Sequence, residues 1–327
     1  MCTLDILCLT AFGMDSFFLN PDGIHVGSKP QEIAQAITDF VEGLTYILQF
    51  AAFPFFTRNV FPWNLNPMMR KFHVSVERLN NFADEIAMQR RAAVSESRQA
   101  DLLSKLLHMD KQDLQGNLVT FFLAGSETTA TTLSWCLYYF CLYPDVQARA
   151  RAEVDTLGRD PETDDDLERL PFVESCILEA LRLQPAAPLL VHECTADVSV
   201  CGFHLPTGTR IVSLLRKRMR SSAEGGTSFR PQRWLRSDGC VDRARSQEHL
   251  GFGSSPRRCP GSHMAIKEGT LILAMILRYF EDFKNATDIS HVEAKSKLTF
   301  RPEKLEISMA RVTVEKEYHE VSVMNNI

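Results

Sequence analysis

The spacing of apolar residues along the chain predicts a mainly helical protein. Residues 31–50 carry apolar side chains at every third or fourth position, which places them on one face of a helix. The same spacing recurs in several later segments: residues 68–109 with an interruption near 94–99, 113–143, 144–157, 171–183 and 262–280. Pro144 follows the longest of these segments and marks its end, because proline cannot continue a helix.

A smaller part of the chain has the character of loops and strands. Residues 53–67 contain three prolines, which indicates a loop, and residues 185–236 are rich in Pro, Gly and Ser. Short strand-like runs occur at residues 198–200, 209–214, 297–300 and 304–308. Many helices with few short strands, and no internal repeat, indicate one mainly α domain with small β-sheets over residues 1–327.

Composition narrows the class of protein. Apolar residues make up 45% of the 327 residues and charged residues 24%, which is enough to form a sizeable core and argues against disorder. The net charge of −5 makes a broad nucleic-acid surface a poor expectation. The nine cysteines include no C-x-x-C pair, and nine is an odd number. We therefore expect an intracellular protein with reduced thiols rather than a zinc site or a disulfide framework.

Two segments bear on membrane insertion. The first fifteen residues lack a basic start and carry Asp5, so they predict neither a secretory signal nor a span. Residues 117–143 are long enough to span, but Glu127 and several threonines lie at their centre. Because a charge is costly in lipid, this pattern favours a buried core helix.

The most informative segment is residues 249–269, HLGFGSSPRRCPGSHMAIKEG. Cys259 lies just ahead of a predicted helix in which Pro260 suits the first position. Amide groups and the helix dipole there, together with Arg257 and Arg258, favour the thiolate form. Such a thiolate can act as a nucleophile, a redox thiol or a metal ligand. The alternative is an ordinary buried cysteine at a helix start.

Three further motifs precede this loop. Residues 124–129, AGSETT, lie in the middle of the longest predicted helix, although Gly and Thr are poor helix formers. Glu179 and Arg182 are three residues apart and therefore share a helix face, a spacing that is also common in surface ion pairs. Residues 229–234 have the sequence FRPQRW.

Phe252, Arg257, Cys259 and Gly261 resemble the haem-binding loop F-x-x-G-x-R-x-C-x-G of the cytochrome P-450 family, and the other three motifs follow in that family's order. The resemblance implies a cytochrome P-450 fold that lacks its N-terminal portion: the anchor, the first sheet and the early helices. It also implies that the Cys259 thiolate is the axial ligand of a haem iron and that Arg257 pairs with a haem propionate. His192 stands where the family often has an arginine that contacts a propionate, and we expect it to bind there.

The same resemblance assigns roles to the other motifs. Ala124 and Gly125 would border the distal face of the haem, and Thr128, bonded back to the Ala124 carbonyl, would form an acid–alcohol pair with Glu127 for proton delivery to reduced dioxygen. The structural triad would consist of Glu179, Arg182 and Arg233. Substrate-facing candidates, for which core packing is the alternative, are Phe121, Phe122, Ala187, Leu189, Leu190 and Leu298.

The chain also departs from the family pattern. Ser255 replaces a glycine of the cysteine loop, Gly251 replaces a common proline, and Gln232 replaces the usual glutamate. Residues 214–228 are basic and lack the H-R-D-P-like stretch of the family, and we expect a solvated loop there, with a partner-docking or localisation patch as the alternative.

The function implied is that of a haem-thiolate monooxygenase, which inserts one atom of O2 into an apolar small molecule. Electrons would come from an NAD(P)H-dependent flavoprotein reductase or a ferredoxin, and we expect no nucleic-acid partner. The resemblance implies membrane association, at the endoplasmic reticulum rather than the mitochondrion, although this chain contains no anchor. The alternatives are a catalytically impaired fragment, an isomerase or dehydratase of the same fold that acts on hydroperoxides, and a cysteine hydrolase.

Overall fold

The computed structural model describes residues 2–14, 30–50, 66–92, 101–221, 226–285, 292, 294–296 and 299–312 of the chain. The helices of this part are α1 (Cys2–Phe12), α2 (Pro30–Phe50), α3 (Pro67–Ala92), α4 (Leu102–Leu106), α5 (Lys111–Leu142), α6 (Pro144–Asp155), α7 (Asp164–Glu168), α8 (Pro171–Leu183), α9 (Leu215–Ser221), α10 (Arg243–Gln247) and α11 (Ser262–Tyr279). The strands are β1 (Leu190–Glu193), β2 (Val198–Val200), β3 (Phe203–Leu205), β4 (Arg210–Ser213), β5 (Phe280–Asn285), β6 (Ala294–Ser296), β7 (Phe300–Pro302) and β8 (Ile307–Arg311). The predicted mainly α class with small sheets is confirmed.

The long helices follow the predicted periodicity closely. The predicted helix at 171–183 coincides with α8, and the one at 262–280 ends one residue later than α11. The interruption expected near 94–99 and most of the loop expected at 53–67 lie outside the described residues. The short α7 was missed because its five residues are too few to carry a periodic pattern, although Thr163 and Asp166 cap each other at its start.

Two large apolar clusters form most of the core of the described residues, and α5 contributes to both. One cluster joins the second half of α5 to α6, α8 and α11, and the other joins its first half to α1 and α3. On α11, Met264 packs against the cluster that contains Phe122, whereas Leu273 and Leu277 belong to the cluster that contains Phe140. We infer that α5 and α11 lie side by side in the same direction, with the middle of α5 near the start of α11.

The longest helix, α5, packs in the core, as expected for a helix with a glutamate at its centre that is unsuited to a membrane span. Many side chains of α5 are buried, among them Phe122, Trp135 and Phe140. Within the described part of the chain, no helix has both the length and the apolar character that crossing a bilayer requires.

The start of α8 is held by a carboxylate from α6. Glu153 accepts hydrogen bonds from the backbone amides of Phe172 and Val173, over 2.9 and 2.8 Å. Helix starts leave such amides without partners inside the helix, so Glu153 stabilises the helix that carries Glu179 and Arg182. Burial raises the pKa of Glu153.

The strands pair antiparallel in twos: β1 with β4, β2 with β3, β5 with β8, and β6 with β7. The pairs Leu190–Ser213 and Val198–Leu205 share one register, so β1 to β4 form a single interrupted hairpin. The predictions at 198–200 and 209–214 match β2 and β4. The strands β1, β3 and β5 were missed because exposed polar residues within them break the apolar alternation.

The expectation of a solvated loop at residues 214–228 is wrong for its first half. Residues 215–221 form α9, in which Leu215 and Met219 are buried. The Arg216 guanidinium lies over the ring of Phe300, 4.7 Å from the ring centroid. Because the buried leucine and methionine are four residues apart, they lie on one face of α9, which packs against the rest of the chain. Lys217 and Arg218 lie on the exposed side of the helix.

Candidate functional site

The cysteine loop is closed by a backbone hydrogen bond in which Cys259 N donates to Phe252 O over 2.8 Å. Gly253 has a φ of +76°, a left-handed conformation that favours glycine. The helix that follows begins at Ser262 and not at Pro260, because residues 260–261 form a turn. Cys259 is exposed and lies shortly before the first residue of α11.

Most of the other described cysteines are buried, whereas Cys259 is exposed. Burial raises the pKa of the Cys8 thiol to about 12, and it raises those of Cys136 and Cys176 above their ordinary values. The cysteines from Cys8 to Cys259 are free thiols, and Cys201 and Cys240 are exposed as Cys259 is.

The two arginines of the cysteine loop have different surroundings. Arg258 Nη1 donates to the backbone carbonyl of Gln247. Arg257 is exposed and has no hydrogen-bond or ion-pair partner among the residues that the structure describes. Its guanidinium can therefore bind an anionic group beside the sulfur.

The predicted triad is assembled and buried. Glu179 accepts hydrogen bonds from Arg182 Nη2 at 2.8 Å, from Arg233 Nε at 3.0 Å and from Trp234 Nε1 at 3.0 Å. The backbone amide of Arg230 donates to the same carboxylate at 2.9 Å. The side chains of Glu179, Arg182 and Arg233 are 0%, 4% and 15% exposed, which distinguishes this arrangement from a surface ion pair.

Arg182 extends the triad to α9 and to the segment that follows it. Its Nη1 donates to the carbonyls of Met219 and Gly226, and its Nη2 donates to the Ser228 carbonyl. One arginine of α8 therefore fixes three carbonyls of the chain that leads to the FRPQRW motif.

A buried histidine, His249, joins α8 to the cysteine loop. Its Nδ1 accepts a hydrogen bond from the Gly251 amide at 2.8 Å, so Nε2 carries the hydrogen that it shares with the Leu178 carbonyl at 2.8 Å. Leu178 directly precedes the triad glutamate. Burial lowers the pKa of His249 to about 4, so the ring is neutral at neutral pH. Sequence reasoning missed this residue, although it is the first residue of the segment singled out above.

The AGSETT motif lies in the middle of α5. Thr128 Oγ1 donates to the Ala124 carbonyl at 2.7 Å, as the sequence predicts, and Ala124 is exposed. Gly125 instead faces α1, because a Cβ atom there would lie 3.0 Å from a methyl group of Leu7. The missing side chain lets α1 pack closely on α5, and the contact of Gly125 with a haem stays a prediction.

The Glu127 carboxyl group contacts a residue that sequence reasoning did not single out. Thr299 Oγ1 donates to Glu127 Oε1 at 2.8 Å, and Thr299 is 3% exposed. Glu127 Oε2 is buried and has no hydrogen-bond partner among the described residues. No signal in the sequence marks this pair, because 172 residues separate its members.

The substrate candidates occupy different surroundings. Phe122 is fully buried between Phe12 and Phe82, with ring centroids 5.1 and 5.3 Å away, which favours the alternative of core packing. Phe121 is partly buried against the same cluster. The remaining candidates are placed as follows: Ala187 and Leu189 are exposed, Leu190 approaches Gly253, and Leu298 lies outside the described residues. His192 is exposed on β1.

These observations fit a haem held by one thiolate. An exposed cysteine, and on the same loop an arginine without a partner among the described residues, suit a group with a soft metal ion and anionic substituents. Gly261 lies beside the sulfur, where a Cβ atom would be 3.9 Å from Cys259 Sγ.

Comparison with known proteins agrees with the geometry. The sequence model of the cytochrome P450 family matches residues 1–309. Methyltetrahydroprotoberberine 14-monooxygenase of Papaver somniferum is 34% identical over 53% of this chain and 34% of its own length. Human cytochrome P450 4F12 is 28% identical over 94% of this chain and 62% of its own length. The bifunctional cytochrome P450/NADPH–P450 reductase 1 of Bacillus subtilis is 30% identical over 73% of this chain and 23% of its own length.

The chain belongs to the cytochrome P450 family, which confirms the resemblance seen in its four motifs. It spans less than two thirds of the length of each of these relatives.

Proposed function

We propose that the chain is the haem-thiolate part of a monooxygenase. The reaction consumes an apolar substrate RH, O2, two electrons and two protons, and it yields ROH and water. The observation that carries this proposal is the exposed Cys259 sulfur at the end of a hydrogen-bonded loop, directly before α11. When bound, the haem would supply an iron whose thiolate ligand favours cleavage of the O–O bond.

The residues of this chain would bind the haem, deliver protons and stabilise the site. Cys259 would bind the iron, and Arg257 with His192 would bind the propionates. Glu127 and Thr128 would hold and move protons on the α5 side. The buried triad of Glu179, Arg182 and Arg233 would stabilise the segments behind the cysteine loop without touching the substrate.

The electrons would come from a separate NAD(P)H-dependent flavoprotein reductase or a ferredoxin. A reductase joined to a cytochrome P450 in one relative, as its name states, supports the first of these donors. We also propose membrane association for the whole protein, because the resemblance to the family implies it.

The assignment of Cys259 is tested by haem reconstitution of the wild type and two cysteine variants. Cys259→Ala removes the proposed iron ligand and should abolish the CO-difference band that is characteristic of haem-thiolate proteins. Cys240→Ala is the matched control, since it removes another exposed thiol outside the loop and should keep the band. A band retained in Cys259→Ala, or haem bound by the wild type without this band, would contradict the proposal. Turnover of a hydroperoxide without NAD(P)H would indicate an isomerase or dehydratase instead.

A further inference from the structure

We propose that Thr299 is the positioning residue of the Glu127 carboxyl group, a role that rests on the proposed function of Glu127 in proton delivery. Thr299 Oγ1 donates to Glu127 Oε1 at 2.8 Å, and the threonine is almost fully buried. Among the described residues, no other donor reaches this carboxyl group. The orientation of Glu127 therefore depends on one hydroxyl group from a distant part of the chain.

One face of α5 holds the segment that carries Thr299. Glu127, Thr131 and Trp135 are spaced four residues apart and therefore lie one above another on the helix. Thr131 Oγ1 donates to Thr299 Oγ1 at 3.4 Å, and Trp135 Nε1 donates to the Phe300 carbonyl at 2.8 Å. The helix that carries the acid thus also fixes the partner of that acid.

The other side of the segment is held by the chain that follows α8. The Phe300 amide donates to the Ala186 carbonyl at 2.9 Å, and Arg216 of α9 covers the Phe300 ring. The Phe300 ring also stacks on Trp135, with 6.5 Å between centroids and 26° between planes. Thr299 is therefore fixed from both sides, which is what a positioning residue requires.

The hydroxyl group is the part of Thr299 that matters for Glu127. A threonine hydroxyl can accept one hydrogen bond and donate another, and here it accepts from Thr131 while it donates to the acid. Valine keeps the shape but removes the donor, which would leave both carboxylate oxygens without a partner. The carboxyl group would then lose the hydrogen bond that fixes its orientation.

The first experiment needs no haem, because it measures thermal midpoints of the chain as expressed. Thr299→Val and Glu127→Leu should each lower the midpoint, and the double variant should lose less than the two losses added together. Thr270→Val is the matched control, since this buried threonine donates only to the Ile266 carbonyl of its own helix. The decrease in thermal midpoint caused by Thr270→Val should add fully to the decrease caused by Glu127→Leu. Full additivity for Thr299→Val would overturn the proposal.

The second experiment uses the haem-loaded protein with NADPH and a flavoprotein reductase. It measures the fraction of NADPH electrons recovered as hydrogen peroxide, which rises when proton delivery fails. Thr299→Val should raise that fraction several-fold, and Thr299→Ser, which keeps the donor, should restore the wild-type value.

Glu127→Gln separates failure of this proposal from failure of the proposed function. An unchanged peroxide fraction in Glu127→Gln would show that Glu127 does not deliver protons, whatever Thr299 does. A raised fraction in Glu127→Gln together with a wild-type fraction in Thr299→Val would overturn the positioning role alone.

Discussion

At the scale of single residues, burial decides which ionisable groups keep their ordinary chemistry. Burial raises the pKa of Glu268 to about 8, and it lowers the pKa of His249 to about 4. The two groups respond oppositely because desolvation always penalises the charged form. His249 also uses both ring nitrogens in hydrogen bonds: Nδ1 accepts from Gly251 and Nε2 donates to Leu178. A protonated ring carries a hydrogen on both nitrogens, so its Nδ1 could not accept the bond from Gly251.

The state of His249 predicts a loss of stability in acid. Its pKa in the folded protein lies below the ordinary value of 6.5, so the unfolded chain takes up the proton first as the pH falls. The free energy of unfolding should therefore decrease between pH 6.5 and pH 4, by up to about 3 kcal/mol from this residue. Urea unfolding at a series of pH values measures the decrease.

The matched variants are His249→Gln, which should flatten the profile in this window, and His263→Gln, an exposed histidine of α11 that should leave it unchanged. Identical profiles for the wild type and His249→Gln would show that His249 does not cause the acid loss.

At the scale of elements, close packing of helices depends on a few glycines. Gly43 of α2 faces α3 so closely that a Cβ atom would lie 2.5 Å from Phe72 Cβ. That neighbour is next to the backbone and cannot move aside as the end of a flexible side chain could. Gly116 of α5, in contrast, has nothing within 4 Å of its Cβ position.

Alanine substitutions at these two glycines should have opposite effects. Gly43→Ala should lower the free energy of unfolding by about 1 to 3 kcal/mol, because it overpacks the contact between α2 and α3. Gly116→Ala should raise it by about 0.5 to 1 kcal/mol, because alanine is the better helix former in open space. Chemical denaturation of both variants tests the pair, and a stabilising Gly43→Ala would contradict the packing described.

At the scale of the whole molecule, one carboxylate connects segments that are far apart in the chain. Glu179 of α8 binds Arg233 and Trp234, which lie more than fifty residues later. Arg182 then reaches the carbonyl of Met219 at the end of α9. The segments between β4 and the cysteine loop are therefore held against α8 by polar contacts as well as by apolar packing.

Removal of the Glu179 charge should weaken the whole protein. Glu179→Gln leaves two buried guanidinium groups without their counter-ion and should cost about 3 to 5 kcal/mol of unfolding free energy. Asp238→Asn is the control, because its ion pair with Arg236 is about half exposed and screened by water, and we expect a much smaller loss of stability. Equal effects of the two substitutions in thermal unfolding would argue against a stabilising role of the triad.

The sequence was a good guide wherever the relevant neighbours are close in the chain. Glu179 and Arg182 are adjacent because helix geometry brings together residues three apart, and Thr128 reaches the Ala124 carbonyl for a similar reason. It was a poor guide for α9, where a run of basic residues suggested solvent exposure but Leu215 and Met219 are buried. Nor does any local pattern show that Phe122 and Gly125 face the α1 side of α5.

The long helices, the family of the protein and the local pairs within helices can be read from the order of the amino acids, because periodicity and short spacings are properties of neighbouring residues. The contact of Thr299 with Glu127 and the link that His249 makes between α8 and the cysteine loop depend on the folded chain. Such contacts depend on how whole helices and loops pack, and no local pattern in the chain records which distant residues that packing brings together.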